Sequence, residues 1–114
     1  MPFIHSNVSV KMTPEQREQL KAAFGKAISI FNGKSEHGLM LRFSDECQMY
    51  HRGISYPGIA CVQVHLFGKQ PEEKYLKFTK EVCGFYEQIL QIPAEHVDII
   101  YETAAAWGSD FRNS

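Results

Sequence analysis

The 114-residue sequence contains the same strand-helix-strand pattern twice, and no other feature restricts its fold as much. Matching positions in the two halves are offset by 56, 57 and 58 residues: Phe3 and Ile59 in the first strands, Pro14 and Pro71 at the helix starts, and Leu39 and Val97 in the return strands. Each half is long enough for a right-handed crossover that returns its second strand parallel to the first. The sequence therefore predicts one domain, residues 1–114, built from two such units at about 1–57 and 58–114.

Both helices are predicted to begin at a Pro-Glu pair. In the first helix Thr13 is expected to act as the cap and Gln16 to complete a capping box, and apolar residues at helical spacing continue to about Phe31. The second helix opens at Gln70-Pro71-Glu72-Glu73 and ends before Pro93. Its predicted apolar face consists of Tyr75, Leu76, Thr79, Val82, Cys83, Tyr86, Ile89 and Leu90.

Four strands are predicted, and two helices can cover only one face of the sheet that they form. The strand at 59–67 carries apolar side chains at both parities, as in sheets that are covered on both sides. We therefore expect copies of the chain to cover the second face in a homo-oligomer of closed symmetry. The alternative is that Ile59 and Phe67 are scattered surface residues. The other predicted strands lie at 3–10, 39–43 and 97–101, and residues 44–58 are predicted to form an irregular connection.

Charge and composition exclude several classes of function. Twelve basic residues against 13 acidic ones give a net charge of −1, which attracts neither nucleic acid nor an anionic membrane. Three cysteines without a C-x-x-C pair favour a reducing, cytoplasmic location. The N-terminus does not resemble a signal peptide, so secretion would need an unconventional route. The dispersed histidines and the absence of nucleotide-binding and serine-hydrolase motifs predict no metal and no cofactor.

Pro2 is the first candidate for chemistry. Removal of the initiator methionine, which is routine before a small residue, would leave a free secondary amine at the start of a strand, and such an amine can act as a base. Its pKa would have to be lowered by desolvation beside Phe3, Phe67 or Trp107, or by a nearby cation. The alternative is an ordinary N-terminus without a chemical role.

Four blocks of the sequence resemble the macrophage migration inhibitory factor family of the tautomerase superfamily. The blocks are Met1-Pro2-Phe3-Ile4, Phe31-Asn32-Gly33-Lys34, Val64-His65-Leu66-Phe67-Gly68-Lys69 and Trp107-Gly108-Ser109-Asp110-Phe111, so the resemblance covers essentially the whole chain. It implies an α/β (α+β) fold with two pseudo-symmetric β-α-β units, a four-stranded mixed sheet and two helices on one face. It also implies a homotrimer with active sites at the subunit boundaries.

The resemblance implies a keto-enol tautomerase that acts on phenylpyruvate-like α-keto acids without a cofactor. Pro2 would be the general base and then the acid, and Lys34 would hold a carboxylate or enolate oxygen. Phe67 would border the pocket, and Trp107 and Phe111 would form its aromatic rim. These three aromatic residues have an alternative interpretation as core or interface residues.

Two positions depart from the family pattern. Asp98 and Ile100 stand where vertebrate members have a tyrosine and an asparagine that reach the pocket of the adjacent subunit. An aspartate there would repel a carboxylate substrate unless it points away or pairs with a cation. Gly38 replaces an aromatic residue, so a wider or more polar pocket is expected.

Two other functions stay open at this point. One is a secreted, cytokine-like protein that engages a cell-surface receptor and keeps only a vestigial pocket. The other is isomerisation of unsaturated dicarboxylates or hydrolytic dehalogenation, which ranks last because the first arginine is Arg17.

Overall fold

A computed structural model of the protein describes residues 1–55 and 58–113, and its central element is a four-stranded sheet covered on one face by two helices. The predicted pair of β-α-β units is confirmed. The elements are β1 (Pro2–Val8), α1 (Pro14–Ala27), β2 (Met40–Ser44), β3 (Ala60–Phe67), α2 (Glu72–Leu90) and β4 (Val97–Ala104), followed by a hairpin of β5 (Gly108–Ser109) and β6 (Arg112–Asn113).

The strand order in the sheet is β2-β1-β3-β4. Each unit contributes a parallel pair, β1 with β2 and β3 with β4, and the two units meet where β1 runs antiparallel to β3. As a result, β1 and β2 begin at the same end of the sheet at which β3 and β4 end. At this end Pro2 is opposite Leu66, Phe3 is opposite Met40, and Phe67 is opposite Ala104.

The start of α1 follows the prediction in detail. Thr13 Oγ1 accepts a hydrogen bond from the Gln16 amide at 3.1 Å, and Gln16 Oε1 accepts one from the Thr13 amide at 2.9 Å. The helix ends earlier than predicted, at Ala27, because the chain tightens into a 3₁₀ turn over Ile28–Ile30. The capping box was therefore readable from the sequence, whereas the tighter last turn was not.

The predicted apolar face of α2 needs one correction. Leu76 is 56% exposed, and Phe78, which was not predicted, is fully buried. Two residues along a helix turn the side chain through about 200°, so these two positions lie on nearly opposite sides. The four-residue spacing of Phe78, Val82 and Tyr86 defines the stripe that faces the sheet.

Strand boundaries differ from the predictions by a few residues. The first strand ends at Val8, and β4 continues beyond Tyr101 to Ala104. The terminal hairpin was not predicted, because strands of two residues carry no alternating pattern. Residues 56 and 57 of the predicted irregular connection lie outside the described residues.

The two faces of the sheet differ in composition. Even-numbered residues of β1 and β3 are buried beneath the helices, and the odd-numbered ones are half-buried on what we call the open face. Polar groups occupy part of the open face, since Asn7 Nδ2 donates to Gln63 Oε1 at 3.2 Å. The open face along β1 and β3 comprises Phe3, His5, Asn7, Cys61, Gln63, His65 and Phe67.

No helix within residues 1–55 and 58–113 is long and apolar enough to cross a membrane.

The core contains one polar pair, whose removal is expected to destabilise the fold. Ser6 and Tyr86 are fully buried, and their hydroxyl groups form a hydrogen bond between β1 and α2. Ser6→Ala or Tyr86→Phe should each lower the free energy of unfolding by about 1–2 kcal/mol, because the remaining hydroxyl loses its partner. The double variant should lose less than the sum of the two, as measured by urea unfolding. Additive losses would contradict this coupling, and Ser29→Ala, at an exposed helix end, is the control.

Candidate active site

A cavity of about 550 Å³ lies at the end of the sheet where β1 and β2 begin. Two predicted site residues, Pro2 and Trp107, line it. Lys34 and Phe67 do not line it, but they are linked to the start of the chain. Lys34 donates a hydrogen bond to the carbonyl oxygen of Phe67, and the Phe67 amide donates one to the carbonyl oxygen of Met1. The cavity is lined by Met1, Pro2, Phe3, Gly38, Met40, His65, Ala104, Trp107, Gly108 and Ser109.

Pro2 is buried as the first residue of β1. A proline fits this position because it has no amide hydrogen to donate to the ladder. The carbonyl oxygen of Met1 accepts a hydrogen bond from the Phe67 amide at 3.3 Å. If the Met1–Pro2 bond is cleaved, the Phe67 amide loses this acceptor and becomes a free donor beside the new amine.

The surroundings of the chain start favour a neutral amine. Burial, together with a hydrogen bond and the positive charge of Lys34, lowers the pKa of the Met1 amine from 8.0 to about 6. The nitrogen of Pro2 lies one residue further into the fold and is buried with its ring. Removal of Met1 would therefore place the new amine in the same buried surroundings.

The turn after α1 positions Lys34. Gly33 adopts a φ of +74°, and the two-way amide contact between Asn32 and Gln70 ties this turn to the segment before α2. From there Lys34 Nζ donates a hydrogen bond to the carbonyl oxygen of Phe67 at 3.0 Å. Gln70, which precedes the N-cap Pro71 of α2, thus fixes the loop that carries the lysine.

Three further residues shape the cavity. A Cβ atom placed on Gly38 would lie 3.9 Å from Cδ of Pro2, so the missing side chain leaves space directly beside the proline. Trp107 is half-buried in the loop after β4. His65, which sequence reasoning treated as structural, also lines the cavity, with its ring 5.8 Å from that of Phe3. The available signal was its position on the same face as Phe67, two residues before that strand ends.

Two predicted site residues lie away from the cavity of their own chain. Phe111 is fully exposed at the turn between β5 and β6, where its φ is +65°. Asp98 is paired with Cys61, whereas the level of Pro2 on β4 is marked by Thr103, which is paired with Leu66. Asp98 and Thr103 are five residues apart along β4. That separation is roughly 16 Å. A single chain thus brings together Pro2, Lys34, Phe67 and Trp107, but neither Phe111 nor Asp98.

No group of three or more His, Cys, Asp or Glu side chains among the described residues is arranged to hold a metal ion. The chemical groups at or next to the cavity are the Met1 amine with its lowered pKa, the Lys34 ammonium group and the Phe67 amide N–H. Together they can accept a proton and stabilise an oxygen anion.

No protein-family model and no curated protein sequence matches the chain. Among solved structures, the MIF2 protein of Leishmania major is 28% identical, with a TM-score of 0.92 over 100% of this chain and 97% of that one. The macrophage migration inhibitory factor of Toxoplasma gondii is 20% identical, with a TM-score of 0.87 over 98% and 99%. The homologue from Prochlorococcus marinus is 23% identical, with a TM-score of 0.80 over 97% of each chain.

These likenesses span the whole sheet, both helices and the cavity end, and they define an α+β protein of the macrophage migration inhibitory factor type. Its fold is that of the macrophage migration inhibitory factor and tautomerase superfamily. The resemblance identified from the four sequence blocks is thereby confirmed.

Proposed function

We propose that the protein is a cofactor-independent keto-enol tautomerase of phenylpyruvate-like α-keto acids, with Pro2 as its base after removal of Met1. The observation that carries this proposal is the environment at the start of β1. There, burial and Lys34 lower the pKa of the Met1 amine to about 6, and removal of Met1 would leave the Pro2 amine in the same buried surroundings beside the same lysine.

The proposed reaction moves one proton and needs no other reactant. The neutral Pro2 nitrogen accepts a proton from the carbon next to the ketone, and the electrons of that C–H bond form the C=C bond of an enolate. The pyrrolidinium then returns the proton to the enolate oxygen, which gives the enol. The reverse sequence converts the enol to the ketone, so Pro2 ends each turnover unchanged.

Lys34 and the Phe67 amide are proposed to stabilise the oxygen anion. The ammonium group has three donors, and one of them is used by the carbonyl oxygen of Phe67. The other two are free for a carboxylate or enolate oxygen of the substrate. Because the same cation lowers the pKa of the amine, Lys34 would favour both the base and the anion that it generates.

The assembly that we propose is a homotrimer in which other copies of the chain cover the open face. The open face is half-buried in a single chain and mixes aromatic with polar residues. Within the described residues, no further strand pairs with the outer edges of β2 and β4. Light scattering should give a mass three times that of the 13.0 kDa chain.

Ketonisation of enol-phenylpyruvate by the wild-type protein tests the function, and an intact-mass measurement on the same sample tests the maturation. We expect turnover above the buffer rate and loss of the mass of one methionine. No turnover would refute the enzymatic proposal and favour the cytokine-like alternative. Full activity with Met1 retained would refute Pro2 as the base, since its nitrogen would be in a peptide bond.

Trp107 is proposed to bind the aromatic ring of the substrate. Trp107→Ala should raise the KM for enol-phenylpyruvate about tenfold, because the variant loses apolar contact area in the cavity. The KM for enol-pyruvate, which has no ring, should change little. Tyr50→Ala is a matched control, since Tyr50 is 69% exposed and does not line this cavity. Equal effects on both substrates would contradict a ring-binding role.

A further inference from the structure

Three titratable side chains outside the cavity form a continuous series of contacts. Nδ1 of His96, a buried residue just before β4, lies 3.2 Å from Nδ1 of His51. On its other side, Nε2 of His51 lies 3.6 Å from Oδ2 of Asp98. His51 therefore connects a buried imidazole to a carboxylate whose side chain is 67% exposed.

The chemistry of these groups favours one placement of the protons. A carboxylate only accepts hydrogen bonds, and two imidazole nitrogens can share a hydrogen bond only if one of them carries the proton. The His51 tautomer with its proton on Nε2 points an N–H at Asp98 and accepts a hydrogen bond from His96 at Nδ1. At 3.6 Å the contact between Nε2 and Oδ2 is electrostatic and too long for a hydrogen bond. No other basic side chain of the described residues lies within 4.0 Å of the Asp98 carboxylate.

Asp98 cannot act on the cavity of its own chain. It lies beside Cys61 on the open face, roughly 16 Å along the sheet from the level of Pro2. The cavity borders the same face, because Met40 and His65 line it. A second copy that covers the open face can therefore bring its own Asp98 to the cavity that the first copy leaves open.

We propose that His51 is a positioning residue that orients Asp98 and offsets its negative charge at the cavity of a neighbouring subunit, so that a carboxylate substrate is accepted there. This inference rests on the proposed trimeric tautomerase. An aspartate without a partner would repel the substrate carboxylate, whereas an imidazole N–H that points at one of its oxygens from 3.6 Å reduces that repulsion. His96 holds the ring of His51 in the required orientation through the contact between their Nδ1 atoms.

The test compares a charged and an uncharged substrate. In His51→Gln, the KM for enol-phenylpyruvate should rise about tenfold, while kcat and the KM for its methyl ester should stay within about twofold. The double variant His51→Gln/Asp98→Asn should recover the wild-type KM for the acid, because the repelling charge is gone. Glu87→Gln is the matched control, since it removes an exposed carboxylate on α2.

An unchanged ratio of the acid and ester KM values in an active, trimeric His51→Gln protein would overturn the inference, as would a double variant that fails to recover. If His51→Gln does not fold, Asp98→Asn alone decides: its KM for the acid should fall relative to its KM for the ester, and an unchanged or higher ratio would overturn the inference. Absence of a trimer or of turnover in the wild type would instead remove the proposed function. Light scattering and thermal unfolding of each variant separate these cases.

Discussion

Pro2→Gly is expected to lower kcat/KM for enol-phenylpyruvate by about 10²- to 10⁴-fold, which is the usual contribution of a positioned acid-base group. Glycine keeps a free amine at the chain start but replaces the secondary ring nitrogen by a primary amine. It also leaves space where the buried ring now packs. The measurement is the initial rate of ketonisation, made after intact mass has shown that Met1 is absent from both proteins.

A second variant separates the nitrogen from the ring. An alanine inserted between Met1 and Pro2 keeps the proline residue but places its nitrogen in a peptide bond. This insertion should reduce turnover to the buffer rate, and unchanged thermal unfolding would show that the fold is intact. If Pro2→Gly were as active as the wild type, the ring-nitrogen mechanism would be wrong even though turnover exists.

Lys34→Met is expected to have the second largest effect, a fall in kcat/KM of about 10²- to 10³-fold. The variant loses the cation that is proposed to stabilise the enolate oxygen. It should also move the acidic limb of the pH profile to higher pH. Lys34 lowers the pKa of the Met1 amine, and we expect it to act in the same way on the Pro2 amine of the mature protein. Without Lys34 the pKa of the Pro2 amine should therefore rise, which leaves less free base at neutral pH.

The pH profile of kcat/KM distinguishes the two roles of Lys34. Lys69→Met is the matched control, because Lys69 is an exposed lysine two residues after Phe67 in the same segment. It should leave both the rate and the profile unchanged. A lower rate for Lys34→Met with an unshifted profile would mean that Lys34 binds the substrate without setting the pKa of the amine.

Most of the fold could be predicted because its signals are local. Thr13 and Gln16 form a capping box through contacts within one turn, and the order of strands and helices follows from periodicity along the chain. That Phe78 rather than Leu76 lies on the buried face of α2 could not be predicted as readily. Both residues are apolar, and only the position of the helix on the sheet decides which one is covered.

The site was predicted less completely, for a physical reason of the same kind. Pro2, Lys34, Phe67 and Trp107 were identified through the family resemblance, but their contacts depend on where four strands end. His65 was missed because a single histidine on a strand carries no signal of what it faces. The contact between His51 and His96 joins residues 45 positions apart, which no local pattern encodes.

The sequence by itself determined the doubled β-α-β plan, the position of a proline next to Met1 and the resemblance to the macrophage migration inhibitory factor family. These depend only on the order of the residues and on short-range spacing along the chain. Only the tertiary structure decided that Lys34 lies at the carbonyl of Phe67, that Gly38 leaves space beside Pro2, and that His51 lies next to Asp98. Such contacts exist only once strands distant in sequence are in register, because the short range of hydrogen bonds and ion pairs requires the folded geometry.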